Sequence, residues 1–159
     1  MEAVSVNLFL AQGKHNGLRI AEITNWSGKA IAAPRSEISK DEFNKQGVYI
    51  LTGIDPETNK KTIYIGESEN ISNHLDNVLL NEDSWNNITA FVSKYENFTH
   101  SELKYLKENL VQLVNNDNST VMNVVNNNVE ISESSASIMD GYLEKCLLIL
   151  PVLGIVDFI

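Results

Sequence analysis

The feature that most constrains the fold is a pair of short β-rich runs, residues 47–53 and 62–66, separated by the polar segment 55–61. Both runs are rich in β-branched and aromatic residues, and the segment between them contains a proline that favours a turn. The pattern predicts a β-hairpin whose loop is longer than the two-residue minimum. We expect the tyrosines of the two runs, Tyr49 and Tyr64, to approach each other across this hairpin.

The rest of the chain shows strand and helix patterns on either side of the hairpin. Before it, three strand-like runs are followed by a Ser-Lys-Asp-Glu capping box, which predicts a short helix to about residue 46. After it, we predict a helix, a third core strand, a capped helix, an Asn-rich loop carrying a short strand, and a last helix. The early runs are residues 4–10, 18–24 and 29–33, and the later elements are residues 69–80, 87–93, 99–114, 115–132 and 134–150.

This order of elements predicts an α+β fold with a small, mainly antiparallel sheet flanked by helices. A chain of 159 residues has room for one domain. We expect that domain to span residues 1–159. Within it, residues 1–38 form an N-terminal β-hairpin extension, residues 39–114 form the core motif region, and residues 115–159 form the Asn-rich loop and a C-terminal helix.

The charge balance argues against a general nucleic-acid binder. The chain has 12 Lys and Arg residues and 21 Asp and Glu residues, which gives a formal net charge of −9. Non-specific binding to nucleic acid depends on cations that neutralise phosphates, so a chain of this sign would need a local patch to contact DNA.

The single cysteine, Cys146, excludes an internal disulfide framework and favours a reducing compartment, so we expect a cytoplasmic protein. The most apolar stretch, residues 146–159, is shorter than the ~20 apolar residues that a membrane-spanning helix needs. We therefore expect no membrane association. The stretch ends on the apolar pair Phe158 and Ile159, which predicts either a continuation into another domain or burial in a contact with a protein partner or a second copy.

The two runs carry Gly-Val-Tyr at residues 47–49 and Tyr-Ile-Gly at residues 64–66, in the same positions as the signature of the GIY-YIG nuclease superfamily. The chain resembles this family in the order of its later elements as well. Four further segments are similar to one bacterial branch of the family that has an N-terminal hairpin extension. They are residues 25–29, 33–36, 64–71 and 150–154.

The resemblance implies a DNA endonuclease that hydrolyses phosphodiester bonds with one divalent metal ion, Mg²⁺ or Mn²⁺. In that family a hairpin tyrosine helps to activate water, an arginine on the next helix holds the phosphate, and a glutamate on a later helix binds the metal. Each residue type suits its task. Guanidinium matches phosphate in a bidentate fork, and carboxylate oxygen is the ligand that magnesium prefers.

Only part of this catalytic set is present. The tyrosines correspond to Tyr49 and Tyr64, and Gly47 and Gly66 are the motif glycines, but the family arginine is replaced by His74 and the family glutamate by Lys107. An ammonium group cannot bind magnesium, and loss of the carboxylate removes the means of activating water. We expect Tyr49, Tyr64, His74 and Lys107 to line one cleft.

Two carboxylates are weak candidates for a replacement metal ligand. Glu67 directly follows the second motif, and we expect it to be an exposed residue at a strand end. Glu108 follows Lys107, and a helical wheel places it about 140° from Leu103 and therefore outward, whereas Lys107 lies on the inward side.

Three hypotheses follow. The first is a GIY-YIG-type endonuclease fold with weakened or lost catalysis. The second is a non-catalytic module that binds an anionic ligand, nucleic acid or a protein partner through the same cleft. His74 and Lys107 could, for example, bind a phosphate between them. The third is an active nuclease whose metal ligand has moved to Glu67 or Glu108. Away from the cleft, we expect Trp26 and Trp85 to be core residues or hairpin anchors and Cys146 to be a core residue.

Overall fold

A computed structural model describes residues 2–76, 85–114, 119–121 and 129–158. In this part of the chain a seven-stranded sheet has the strand order β1-β2-β3-β6-β4-β5-β7. All neighbouring pairs are antiparallel except β5 and β7, which are parallel. The strands are β1 Val6–Leu10, β2 Arg19–Ile23, β3 Gly28–Pro34, β4 Gly47–Ile54, β5 Lys61–Ser68, β6 Asn87–Ser93 and β7 Ser119–Val121.

Four helices flank this sheet in the described residues, and a short 3-10 turn precedes the first. The helices are α1 Lys40–Phe43, α2 Ile71–His74, α3 His100–Leu113 and α4 Glu133–Val152. The expected α+β fold with a mainly antiparallel sheet and a C-terminal helix is confirmed. None of the described helices combines the length and apolar character that crossing a membrane requires.

The structure adds detail to two of the expected elements. The N-terminal strands extend the central sheet, since β3 pairs with β6 along its whole length. The helix expected over residues 69–80 begins at Ile71, after the side chain of Asn70 caps it by accepting a hydrogen bond from the Asn73 amide. Residues 77–80 of that expectation lie outside the described residues, as do most of residues 115–132.

The sheet separates two apolar cores. On the α4 face, α3 and α4 cover strand side chains that include Val48, Ile50 and Ile65. On the opposite face, which we call the α2 face, Tyr49 and Leu51 pack with Ile71 of α2. Successive side chains of a strand point to opposite faces. Consequently the residues before and after Tyr49 contribute to a different core from the tyrosine itself.

Candidate functional site

Three of the four expected site residues form an aromatic cluster on the α2 face. The ring centroid of Tyr49 lies 6.2 Å from that of Tyr64 and 5.8 Å from that of His74, with both pairs tilted. Tyr49 is fully buried, whereas Tyr64 and His74 are half-buried. Adjacent strands and the following helix therefore bring the two motif tyrosines and the histidine together.

The motif glycines make this packing sterically possible. Gly66 lies opposite Tyr49 in the β4–β5 register, and a Cβ atom at Gly66 would overlap the Tyr49 ring and its hydroxyl. A Cβ atom at Gly47 would overlap the backbone carbonyl of Phe91 on β6. Both positions thus need glycine for close approach, Gly66 to seat the ring and Gly47 to bring β4 against β6.

Tyr49 is placed to remain protonated. Its hydroxyl has no hydrogen-bond partner in the part of the chain that the structure describes. Burial raises the pKa of Tyr49 far above its ordinary value, and the neighbouring Tyr64 and the negative Glu67 raise it further. Withdrawal from water disfavours the phenolate. Tyr49 can therefore donate a hydrogen bond, but it is poorly suited to accept a proton from water.

Lys107 forms a charged cluster with both candidate carboxylates. Its Nζ atom lies 3.4 Å from Oε1 of Glu67 on β5 and 3.5 Å from Oε1 of the adjacent Glu108. The exposed fractions of the three side chains are 22% for Lys107, 18% for Glu67 and 7% for Glu108. The ammonium group is thus shared by two carboxylates that are largely withdrawn from water.

Two expectations about these carboxylates were wrong. Glu108 is buried, with 6% of its surface exposed, because α3 is covered by more than the sheet. The Tyr105 hydroxyl of α3 donates to Asp140 of α4 at 2.7 Å, so a second side of α3 faces a neighbouring helix. Glu67 is also not a freely exposed strand end, since β5 extends to residue 68 and Glu67 pairs with Lys107.

The Lys107 cluster lies next to the aromatic cluster along β5. Glu67 is opposite Val48 in the β4–β5 register, and the Val48 side chain belongs to the core on the α4 face. The negative charge of Glu67 nevertheless acts on the Tyr49 hydroxyl, since it helps to raise the pKa of Tyr49. Among the described residues, the charged partners of Lys107 are Glu67 and Glu108. That Tyr49, Tyr64, His74 and Lys107 line one cleft stays a prediction.

The residues present do not fit a divalent metal ion. Among the described residues there is no group of three or more His, Cys, Asp or Glu side chains that could hold one. The two candidate carboxylates, Glu67 and Glu108, both contact the Lys107 ammonium. A magnesium ion would have to share this space with a fixed positive charge, which electrostatic repulsion opposes.

Outside this region the expected core residues are confirmed. Trp26 and Trp85 are buried, and Cys146 is fully buried, which raises the pKa of its thiol and keeps it in the unreactive form. Arg35 stacks on the Trp85 ring, with 4.3 Å between its guanidinium carbon and the ring centroid, and donates to the Trp85 carbonyl.

The contact between Glu67 and Lys107 was not predicted, although the sequence contains a signal for it. Glu67 follows Ile63 and Ile65 at a spacing of two residues, which places all three on one face of a strand. Had the strand been extended by two residues, this alternation would have indicated that Glu67 faces the helices.

No protein-family model, curated protein or solved structure matches the chain.

Proposed function

We propose that this chain is a GIY-YIG-type endonuclease domain in which metal-dependent hydrolysis of DNA has been lost. The proposal rests first on the signature at residues 47–49 and 64–66, found on neighbouring strands of one hairpin in an α+β fold. The single observation that carries the loss of activity is the position of Lys107. Its ammonium group lies within 3.5 Å of both carboxylates that would have to hold the metal.

The state of Tyr49 also supports a loss of hydrolysis. A tyrosine that activates water must have access to that water and must give up its proton at the operating pH. Tyr49 is fully buried, and its pKa is raised by burial, so without a nearby cation to lower that pKa it meets neither requirement. The remaining aromatic side chains, Tyr64 and His74, can contact a ligand, but they cannot replace a metal ion as the Lewis acid that polarises a phosphodiester.

The pairing of Lys107 argues against the hypothesis of a phosphate held between His74 and Lys107. Its ammonium group already contacts two carboxylates, which would compete with a phosphate. The third hypothesis, a nuclease with a relocated ligand, is weakened for the same reason. Glu67 and Glu108 are the residues it needs, and both contact an ammonium group.

Plasmid nicking tests the proposal directly. Wild-type protein is incubated with supercoiled plasmid in Mg²⁺ or Mn²⁺ beside Tyr49→Phe and a His74→Arg, Lys107→Glu double variant. We expect no nicking by the wild type. Nicking by the double variant, abolished when Tyr49→Phe is added, would support descent from an endonuclease.

Two results would contradict the proposal. Metal-dependent nicking by the wild type that disappears in Tyr49→Phe would show that hydrolysis is retained. A folded double variant that stays inactive in both metals would remove the support for an endonuclease ancestry. Circular dichroism on each variant separates loss of activity from loss of fold.

We propose that the protein is cytoplasmic, on the basis of the family resemblance and of Cys146, which is buried and forms no disulfide. We also propose a protein partner at the apolar C-terminus, where Val152 and Val156 are about half exposed. Phe158, by contrast, packs against the core on the α4 face. Ile159 lies outside the described residues.

A further inference from the structure

A polar cavity opens where α4 ends above the sheet. Its volume is about 570 Å³, within the range of small-molecule sites. It is bounded by the start of β6, the β4–β5 hairpin end and the turn that follows α4. The residues that line it are Arg19, Thr52, Gly53, Ile54, Asn59, Lys61, Asn86, Asn87, Thr89, Leu153, Gly154 and Ile155.

The cavity exists because the side chains of three strands on the α4 face change from apolar to polar beside the C-terminal end of α4. On β4, the buried Ile50 is followed on the same face by Thr52, and on β5 the inward Ile63 is preceded by Lys61. On β6, Thr89 precedes Phe91 in the same way. Since period-2 alternation keeps each pair on one face, the floor of the cavity is polar where the core would otherwise continue.

Two hydroxyl groups on this floor have unused hydrogen-bonding capacity. Thr89 is only 3% exposed, and Thr52 is half-buried. Neither side chain makes a hydrogen bond to another described residue. Neither hydroxyl is among the fully buried polar atoms that lack a partner, so both can be reached from the cavity that they line. They can therefore bind an occupant that offers donors or acceptors.

The charges around the cavity favour an anion. None of the described residues that line it is acidic, although the chain as a whole carries a net charge of −9. Lys61 is bound to Asp157 at 2.7 Å, so Arg19, Lys61 and Asp157 together leave one positive charge. An anion here would be attracted by the cavity itself.

Arg19 keeps donors available for such an anion. Its Nη1 donates to the Leu153 carbonyl at 3.1 Å and its Nε to the Gly17 carbonyl at 3.3 Å. These bonds anchor the guanidinium at the end of α4, and they use two of its five N–H groups. The remaining N–H groups, in a preorganised planar fork, suit a phosphate oxygen.

We propose that this cavity binds a small phosphomonoester, with the phosphate at Arg19 and Lys61 and the hydrogen-bonding remainder over Thr52 and Thr89. The volume accommodates a molecule of nucleoside-monophosphate size. This site is separate from the aromatic cluster and from the Lys107 cluster. It lies on the α4 face, and Lys61 is six residues from Glu67 along β5, a distance of roughly 20 Å at the strand rise.

Backbone-amide NMR titration of the full chain tests the proposal with AMP, adenosine and inorganic phosphate as probes. We expect saturable shifts for AMP at residues 52–54, 87–89 and 153–155, competition by inorganic phosphate, and much weaker shifts for adenosine. No saturable shift with AMP or phosphate would overturn the proposal. Adenosine binding as tightly as AMP, or saturable shifts confined to another surface, would also overturn it.

Matched variants identify the groups responsible. Thr89→Val keeps the side-chain shape and removes one unpartnered hydroxyl, and Arg19→Gln and Lys61→Gln each remove one positive charge. We expect each charge variant to weaken AMP binding at least about tenfold, as for loss of a charge-assisted hydrogen bond, and Thr89→Val to weaken it severalfold.

Lys14→Gln is the control, because Lys14 also pairs with a carboxylate, at 2.6 Å from Glu37, but does not line the cavity. Its AMP affinity should stay within about twofold of the wild type. If Lys14→Gln weakens binding as much as the two charge variants do, the attraction comes from net charge and the cavity site is refuted. Thermal melts confirm that each variant is folded.

Discussion

Replacing Lys107 with methionine should destabilise the protein because it removes the cation between two carboxylates. Methionine retains most of the apolar stem of lysine, so the change isolates the charge. At 3.4 Å and an effective dielectric constant of about 20, the attraction between one pair of charges is about 5 kcal/mol. Desolvation of the ions offsets much of this gross attraction.

The net loss can be bounded from burial. Removing one member of a fully buried ion pair costs about 3–5 kcal/mol. The side chains of Lys107 and Glu67 retain exposed fractions of 22% and 18%, and solvent reduces the effect. We therefore expect Lys107→Met to lower the free energy of unfolding by about 2–3 kcal/mol. For a domain of this size that corresponds to a fall in Tm of about 5–10 °C.

The assay is urea unfolding followed by circular dichroism and by the fluorescence of the two buried tryptophans. Lys104→Met is the matched control, since Lys104 lies on the same helix with an exposed side chain, and its effect should stay within about 0.5 kcal/mol. Adding Glu108→Gln to Lys107→Met should restore part of the lost stability, because it removes one of the two negative charges that no longer face the Lys107 ammonium group. If Lys107→Met is as stable as Lys104→Met, the charge cluster does not contribute as described.

Three further predictions concern the buried phenols and the motif glycine. Tyr49→Phe should leave the free energy of unfolding unchanged or raise it by up to about 1–2 kcal/mol in urea melts, because it removes a buried hydroxyl without a partner; a loss above 1 kcal/mol would refute that assignment. Gly66→Ala should cost about 1–3 kcal/mol through overlap with the Tyr49 ring, and a wild-type melting curve would show that the ring is placed elsewhere. Burial raises the pKa of both Tyr49 and Tyr142 in the folded protein. The free energy of unfolding should therefore keep its full value below about pH 10, which is the tyrosine pKa in the unfolded chain. Above that pH it should fall by about 1.4 kcal/mol per pH unit for each phenol. Tyr49→Phe should make that fall less steep by the contribution of one phenol, and an unchanged slope in melts between pH 10 and pH 11 would contradict the raised pKa.

The hairpin and the packing of its tyrosines could be predicted because the signals are local. Strand-forming residues flank a proline-containing loop, and the two tyrosines come from adjacent strands of one hairpin. The unpartnered state of the Tyr49 hydroxyl could not be predicted. It depends on the register that places Tyr49 opposite Gly66 and on burial by residues far away in the sequence.

The error at Glu108 shows the limit of a helical wheel. The wheel gave the angle between Glu108 and Leu103 correctly, but it assumed that only one side of α3 is covered. The contact between Tyr105 and Asp140 shows a second covered side, which depends on how α4 returns to the domain. The cavity at the end of α4 was inaccessible to sequence patterns for a similar reason, since residues more than 130 positions apart, such as Arg19 and Leu153, meet there.

A manganese titration tests the central proposal most directly, namely that the Lys107 ammonium group prevents Glu67 and Glu108 from binding a metal ion. Mn²⁺ broadens the NMR signals of nearby nuclei, so binding at Glu67 and Glu108 would bleach the backbone amides of residues 66–68 and 107–108. We predict that these signals persist in the wild type and disappear in Lys107→Ala at the same concentration of Mn²⁺. Selective bleaching in the wild type would show that the carboxylates hold a metal ion beside Lys107, and it would contradict the account.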